Sequence, residues 1–227
     1  MIQRNEVKLD IQKVPLKDKI ASSLMQSIIE GEIRVGEKLR EAHLAKAFGV
    51  SQAPVREAII TLVAQGILEH TPNVGTHVKA YSKDEIIEIY EAREALELYA
   101  VESMKKDSSL DLMKEEYAQM LKAAKAKDIQ LLVKHDQLFH EVLLSACDNC
   151  LIMKLWREQY TKSSVFNVIQ GFEASLEDIV LMHMPIIEAM EQKSIDKCKD
   201  AVHHHYDVII TNEGNTMAHI NVFALGQ

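Results

Sequence analysis

Four polar side chains stand on faces that otherwise read as apolar. In a predicted helix near residues 128–146, Ile129, Val133, Leu143 and Leu144 recur at helical spacing, and Asp136 and His140 fall on the same face. A helix near 174–192 carries the stripe Leu176, Ile179, Ile186 and Met190, with His183 inside it. Near 194–212 the stripe is Cys198, Val202 and Ile209, with His205 inside it. Burying any one of these groups without a partner costs roughly 1–3 kcal/mol, and more if it is charged. A divalent metal shared by three imidazoles and a carboxylate would satisfy all four at once. Asp-x-x-x-His sets two ligands one turn apart, and helical bundles build metal sites from facing helices in this way.

A lone histidine on an apolar face is more often a hydrogen-bonded core residue, and Asp136 with His140 reads equally as a simple pair. The four together, on three helices, favour the metal. Within His203-His204-His205 successive side chains point about 100° apart, so only His205 continues its stripe, and His203 and His204 belong at the surface or its edge. A mixed nitrogen and oxygen set suits zinc or nickel first, with manganese, iron or cobalt also compatible. The same ligands leave room for a water, which keeps a metal-dependent hydrolase or isomerase in view. No general base stands out beside them.

Arg93 and Glu97 form an i,i+4 pair that by default lies at the surface. They share a face with Tyr90 and Ala100, however, so Arg93 could instead point inward toward an anionic ligand. Asn149 reads as a helix cap. Cys147-x-x-Cys150 lacks the second pair that a zinc ribbon needs. The chain has no P-loop, no GxGxxG and no Gly-x-Ser-x-Gly.

The elements that must position these residues differ between the two parts of the chain. Between Gly75 and Gly171 there is no glycine, helix formers dominate, and Ser82-Lys83-Asp84-Glu85 is a capping box. Helices are expected near 82–105, 109–126, 128–146, 149–169, 174–192 and 194–212, an all-α bundle of six to seven helices over residues 81–227. Pro185 either kinks the fifth of these helices or marks a restart. The tail Gly214–Gln227 is expected to be loosely held.

Residues 1–80 read otherwise. Leu16, Ile20, Leu24 and Ile28 predict an amphipathic helix over 15–30. Gly36 to Gly66 holds two short amphipathic segments around Phe48-Gly49-Val50-Ser51, with Leu39, Leu44 and Ala45 inward on the first and Val55, Ala58, Ile59 and Leu62 on the second. Gly49 suits a left-handed C-cap, Ser51 an N-cap, and Pro54 the first turn, where its missing N–H breaks no intrahelical bond. That is a helix-turn-helix. Ile67–His70 and Thr76–Lys79 read as strands joined by Pro72-Asn73-Val74-Gly75. The fold class expected is therefore mainly α, a winged helix-turn-helix of three helices plus a β-hairpin wing, followed by the bundle.

Charge agrees with a division of labour. Residues 1–80 carry a net +2 and residues 81–227 a net −10, within a total of −8. Phosphate contacts need local positive charge only. No apolar run reaches the 18 or so residues of a membrane span, and the first ten residues lack a signal-peptide core. Three cysteines fit a reducing compartment. A cytoplasmic location with no membrane partner is expected. A rival reading has the winged helix bind protein and the bundle serve only as a dimeriser.

The block Gly49-Val50-Ser51-Gln52-Ala53-Pro54-Val55-Arg56-Glu57-Ala58, with Gly36, Leu44-Ala45, Gly66 and Gly75-Thr76-x-Val78, resembles the winged helix of the GntR family of bacterial transcription regulators. The remainder resembles the all-helical FCD effector domain of its FadR subfamily, through Arg93, Glu97, Asp136-x-x-Phe139-His140, Asn149, His183 and His205. The resemblance implies a homodimer on a near-palindromic, double-stranded operator, with Arg40, Ser51, Gln52, Arg56, Gly75 and Thr76 toward DNA. It implies a divalent metal on Asp136, His140, His183 and His205, and a small carboxylate metabolite that completes the coordination, with Arg93 and Asn149 as effector-binding residues. Two positions depart from the family: Gln52 stands where arginine is usual, and Val35 where proline is usual. Arginine reads guanine and glutamine suits adenine, so Gln52 bears on which base is read.

Overall fold

The structure is a computed structural model that describes residues 14–105, 110–170 and 175–220, leaving out the side chains of 165–170 and 212–220. It divides into two compact units, Met1–Lys79 and Ala80–Gln227.

In the first unit α1 (Leu16–Ile29) packs on α3 (Gln52–Ala64). Ile20, Leu24 and Ile28 from one helix and Val55, Ala58, Ile59 and Leu62 from the other are buried, while Leu16 stays exposed. Between them α2 (Glu41–Phe48) ends on Gly49, whose φ of +66° is left-handed; glycine takes this conformation without a Cβ penalty. Val50 N–H donates back to the Ala45 carbonyl, 3.0 Å, and the chain turns into α3. Ser51 occupies the N-cap of α3, but its side chain makes no cap bond.

Two details differ from the sequence reading. Leu39 belongs to a two-residue strand, β1 (Lys38–Leu39), and not to the first helix of the motif, which begins only at Glu41. Leu39 is buried all the same, because a strand also alternates its side chains. The wing strands are β2 (Leu68–Thr71) and β3 (Gly75–Val78), each shifted by a residue from the expected span. Asn73 at φ +66° and Gly75 at φ +107° let a three-residue connection reverse the chain. The sheet is antiparallel in the order β1-β3-β2.

The second unit is the bundle: α4 (Lys83–Glu102), α5 (Leu110–Ala126), α6 (Ile129–Ser145), α7 (Cys150–Gln170), α8 (Leu176–Leu181), α9 (Met184–Glu191) and α10 (Ile195–Ile220). Ser82 and Glu85 close the expected capping box on α4. Asp128 caps α6 through Leu131 N–H, 3.0 Å. Tyr90, Met113, Met120, Phe139, Leu143, Ile186, Val202 and Tyr206 form the core. The span expected as one helix over 174–192 is two, and Pro185 marks the restart: it lies in the first turn of α9, with His183 at the N-cap. α10 runs past the expected end to Ile220, with Gly214 inside it; the last part of the tail, 221–227, lies outside the described residues. Among the described residues no helix is long and apolar enough to cross a membrane.

Candidate functional site

The break at Pro185 builds the first part of the site. At the end of α8 the His183 N–H turns to the Val180 carbonyl, 3.1 Å. The His183 imidazole then covers the chain end: its Nδ1 lies 3.2 Å from the Ile179 carbonyl and 3.1 Å from that of Val180. Carbonyls only accept, so Nδ1 carries the proton and donates. In a neutral ring Nε2 is then a bare lone pair.

His140, on α6, is fixed in the same sense by a different partner. Its Nδ1 donates to Glu97 Oε2 at 2.9 Å. Burial works against the Glu97 charge, but the neighbouring His140 imidazole, the Arg93 charge and the Tyr206 bond hold its pKa below the ordinary carboxylate value. Glu97 is therefore an acceptor, and in a neutral His140 ring Nε2 is likewise bare. The two Nε2 atoms face each other at 3.3 Å. Two lone pairs at that distance repel unless a cation lies between them.

His205, from α10, completes the cluster. His140, His183 and His205 are all buried, with ligand atoms within 4.8 Å of one another. His205 Nδ1 is buried with no partner among the described residues. Asp136 joins from the first turn below His140, its Oδ1 3.0 Å from His183 Nε2. Burial pushes the Asp136 carboxyl up, but the neighbouring His183 and His140 imidazoles and the Arg93 charge prevail and hold its pKa well below the ordinary range. The four residues expected from the apolar stripes are thus brought together, three as a tight cluster and Asp136 through His183. His203 and His204 are exposed, and His203 bonds Glu94. The donor set, the facing lone pairs and the orphaned nitrogen fit a divalent cation.

Arg93 is buried, so the surface reading of the Arg93–Glu97 pair does not hold. The guanidinium lies among the rings of Tyr90, Trp156, Tyr160 and Tyr206, 4.8–5.5 Å from their centroids. One nitrogen donates to Ser163 Oγ at 2.9 Å, and Nε has no partner among the described residues. Asn149 stands apart: it is half-buried, and its Oδ1 accepts from Leu151 and Ile152 N–H at 3.1 and 3.3 Å, capping α7. That side-chain oxygen is engaged by the first turn of the helix.

Sequence reading missed the part Glu97 plays. Besides His140, Trp156 Nε1 donates to it at 2.6 Å and Tyr206 OH at 2.5 Å. Its place on the Tyr90–Ala100 face was the available signal.

The environment of His205 sets a pH dependence. Burial first, then the neighbouring His183 and His140 imidazoles, lower its pKa well below the ordinary 6.5. The unfolded chain therefore binds a proton below pH 6.5 that the folded chain refuses, so stability falls as pH drops. Asp136 and Glu97, with lowered pKa values, add the same sign further down, where their unfolded forms protonate first. Metal-free protein should lose up to about 1.4 kcal/mol per pH unit below pH 6.5 from His205 alone. Urea titrations between pH 7 and 5 check this, and a flat profile would contradict it.

On the first unit Arg40, Ser51, Gln52 and Arg56 are exposed. The Arg56 guanidinium is held by Glu41 of α2, Nε at 2.9 and 3.2 Å and one terminal nitrogen at 2.9 Å. Thr76 Oγ1 lies 3.1 Å from His70 Nδ1 on the wing.

Comparison with known proteins agrees with both units. Residues 16–78 match the gntR family of bacterial regulatory proteins, and residues 88–208 match the FCD domain. The gluconate operon transcriptional repressors of Bacillus licheniformis and Bacillus subtilis are each 27% identical over 198 residues, 83% of this chain and 81% of theirs. In fold, a GntR transcriptional regulator from Rhodococcus sp. RHA1 superposes with a TM-score of 0.77 at 20% identity, over 88% of this chain and 97% of that one.

Proposed function

From the premise that this chain belongs to the GntR family of bacterial regulatory proteins, with an FCD domain, and is a transcription regulator and not an enzyme, we propose how its regulation works. It acts as a homodimer on operator DNA, and a small carboxylate effector at a divalent metal in the bundle sets its DNA affinity. The metal would sit on Asp136, His140, His183 and His205, with zinc or nickel the first candidates. The observation that carries this reading is the pair of imidazole nitrogens, His140 Nε2 and His183 Nε2, facing each other at 3.3 Å in the buried cluster.

Charge explains why the effector would be an anion. With the imidazoles neutral, ionised Asp136 and Glu97 and cationic Arg93 leave the site one negative charge in excess. A divalent ion reverses that sign, and one carboxylate restores neutrality. Arg93 Nε, buried beside the cluster without a partner among the described residues, is a donor for it. Effector binding would bias the two winged helices of the dimer, a coupling of typically 1–3 kcal/mol.

The residues proposed toward DNA are Arg40, Ser51, Gln52, Arg56, Gly75 and Thr76. Ser51 Oγ, which makes no cap bond, and the exposed Gln52 stand at the N-terminal end of α3, where a recognition helix meets base edges. Mobility-shift titration with duplex from the chain's own upstream region tests the docking. Arg56→Ala is expected to weaken binding by about 1–3 kcal/mol. Full affinity in that variant would contradict the assigned orientation. The gluconate operon repressors among the relatives favour a repressor of sugar-acid or related carboxylate metabolism.

A further inference from the structure

The wing has no strong cation of its own. From Leu68 to Val78 the hairpin holds no lysine or arginine, and its one acid is Glu69. A hairpin with that charge is a poor partner for phosphate.

The adjacent strand supplies what the hairpin lacks. β1 pairs with β3 so that Lys38 stands opposite His77 and Leu39 opposite Thr76. On the other side of β3, Glu69 stands opposite His77, with its Oε1 2.9 Å from His77 Nε2. The wing's acid is therefore engaged by His77, while Lys38 runs toward the tip. A Cβ at Gly75 would meet Lys38 Cε at 2.8 Å and Nζ at 3.3 Å. Glycine at 75 serves two ends, the φ of +107° and the space in which the lysine lies. The residue is exposed, and its ammonium makes no ion pair among the described residues.

We propose that Lys38 is the wing's phosphate-binding residue: its ammonium, laid across Gly75 from the neighbouring strand, contacts the DNA backbone where the wing tip meets the duplex. This rests on the reading that the winged helix binds DNA through its wing. The ligand is a backbone phosphate and not a base, so the contact adds affinity that is independent of sequence and sensitive to salt.

The test is a fluorescence-anisotropy titration of the full chain over a range of salt. The two labelled duplexes are one from the chain's own upstream region and one of the same length with scrambled sequence. Lys38→Gln is expected to weaken both by the same factor, about fivefold at 0.15 M salt for each winged helix engaged, and to reduce the slope of log K against log salt by about 0.9 each. Lys38→Arg is expected to keep the slope. An unchanged slope in Lys38→Gln, with wild-type binding intact, would overturn the assignment and leave the DNA-binding reading standing. A loss confined to the upstream duplex would overturn it too, by making Lys38 a base reader. If the wild-type chain bound neither duplex, the wing reading would fail and Lys38 with it.

Discussion

Replacing His183 with alanine is expected to cut zinc affinity by more than about 100-fold, beyond the 10- to 100-fold typical of losing a residue that only orients a ligand. His183 sits at the junction of α8 and α9, with Nδ1 fixed by two carbonyls and Nε2 between His140 and Asp136. Without it the remaining histidines come from α6 and α10, and Asp136 loses the imidazole beside it. A competition titration with a zinc chelator measures the change. Operator binding in the variant should also lose its dependence on added metal. An unaltered zinc affinity would remove His183 from the site.

Removing the Glu97 carboxylate should cost the fold more than any surface change. Glu97→Ala strips the acceptor from His140, Trp156 and Tyr206 at once and leaves the Arg93 charge buried beside a void. Leaving a buried donor without its acceptor typically costs about 1–3 kcal/mol, and three donors lose theirs together. Urea unfolding of the metal-free protein reads this directly. A loss under about 1 kcal/mol, the range of an exposed ion pair, would mean that the network contributes little.

These two residues were legible in the sequence to very different degrees. His183 was visible because it interrupts an apolar stripe, and periodicity tells which face a residue occupies. His140, His205 and Asp136 were found in the same way. Glu97 was hidden by its neighbour: an arginine four residues before a glutamate is the ordinary pattern of a solvated helix face. Its true partners lie 43, 59 and 109 residues away in the chain. No local pattern carries contacts of that range. The winged helix was readable through Gly49 and the stripe on α3, since turn chemistry and burial there are local. β1 was not, because two residues are too few to show a strand period and its pairing with β3 is a tertiary event. The restart at Pro185 stayed open in sequence because proline is compatible with a kink and with a first turn. The structure settles it for the first turn, and the tightened last turn of α8 then gives His183 Nδ1 its carbonyl partners.

The regulatory reading depends on a divalent ion among His140, His183, His205 and Asp136. Elemental analysis of protein purified without chelator or nickel resin tests this most directly. The result expected is about one divalent ion per chain, falling to background in His183→Ala. Wild-type protein with no metal, and no uptake of zinc or nickel on dialysis, would contradict it.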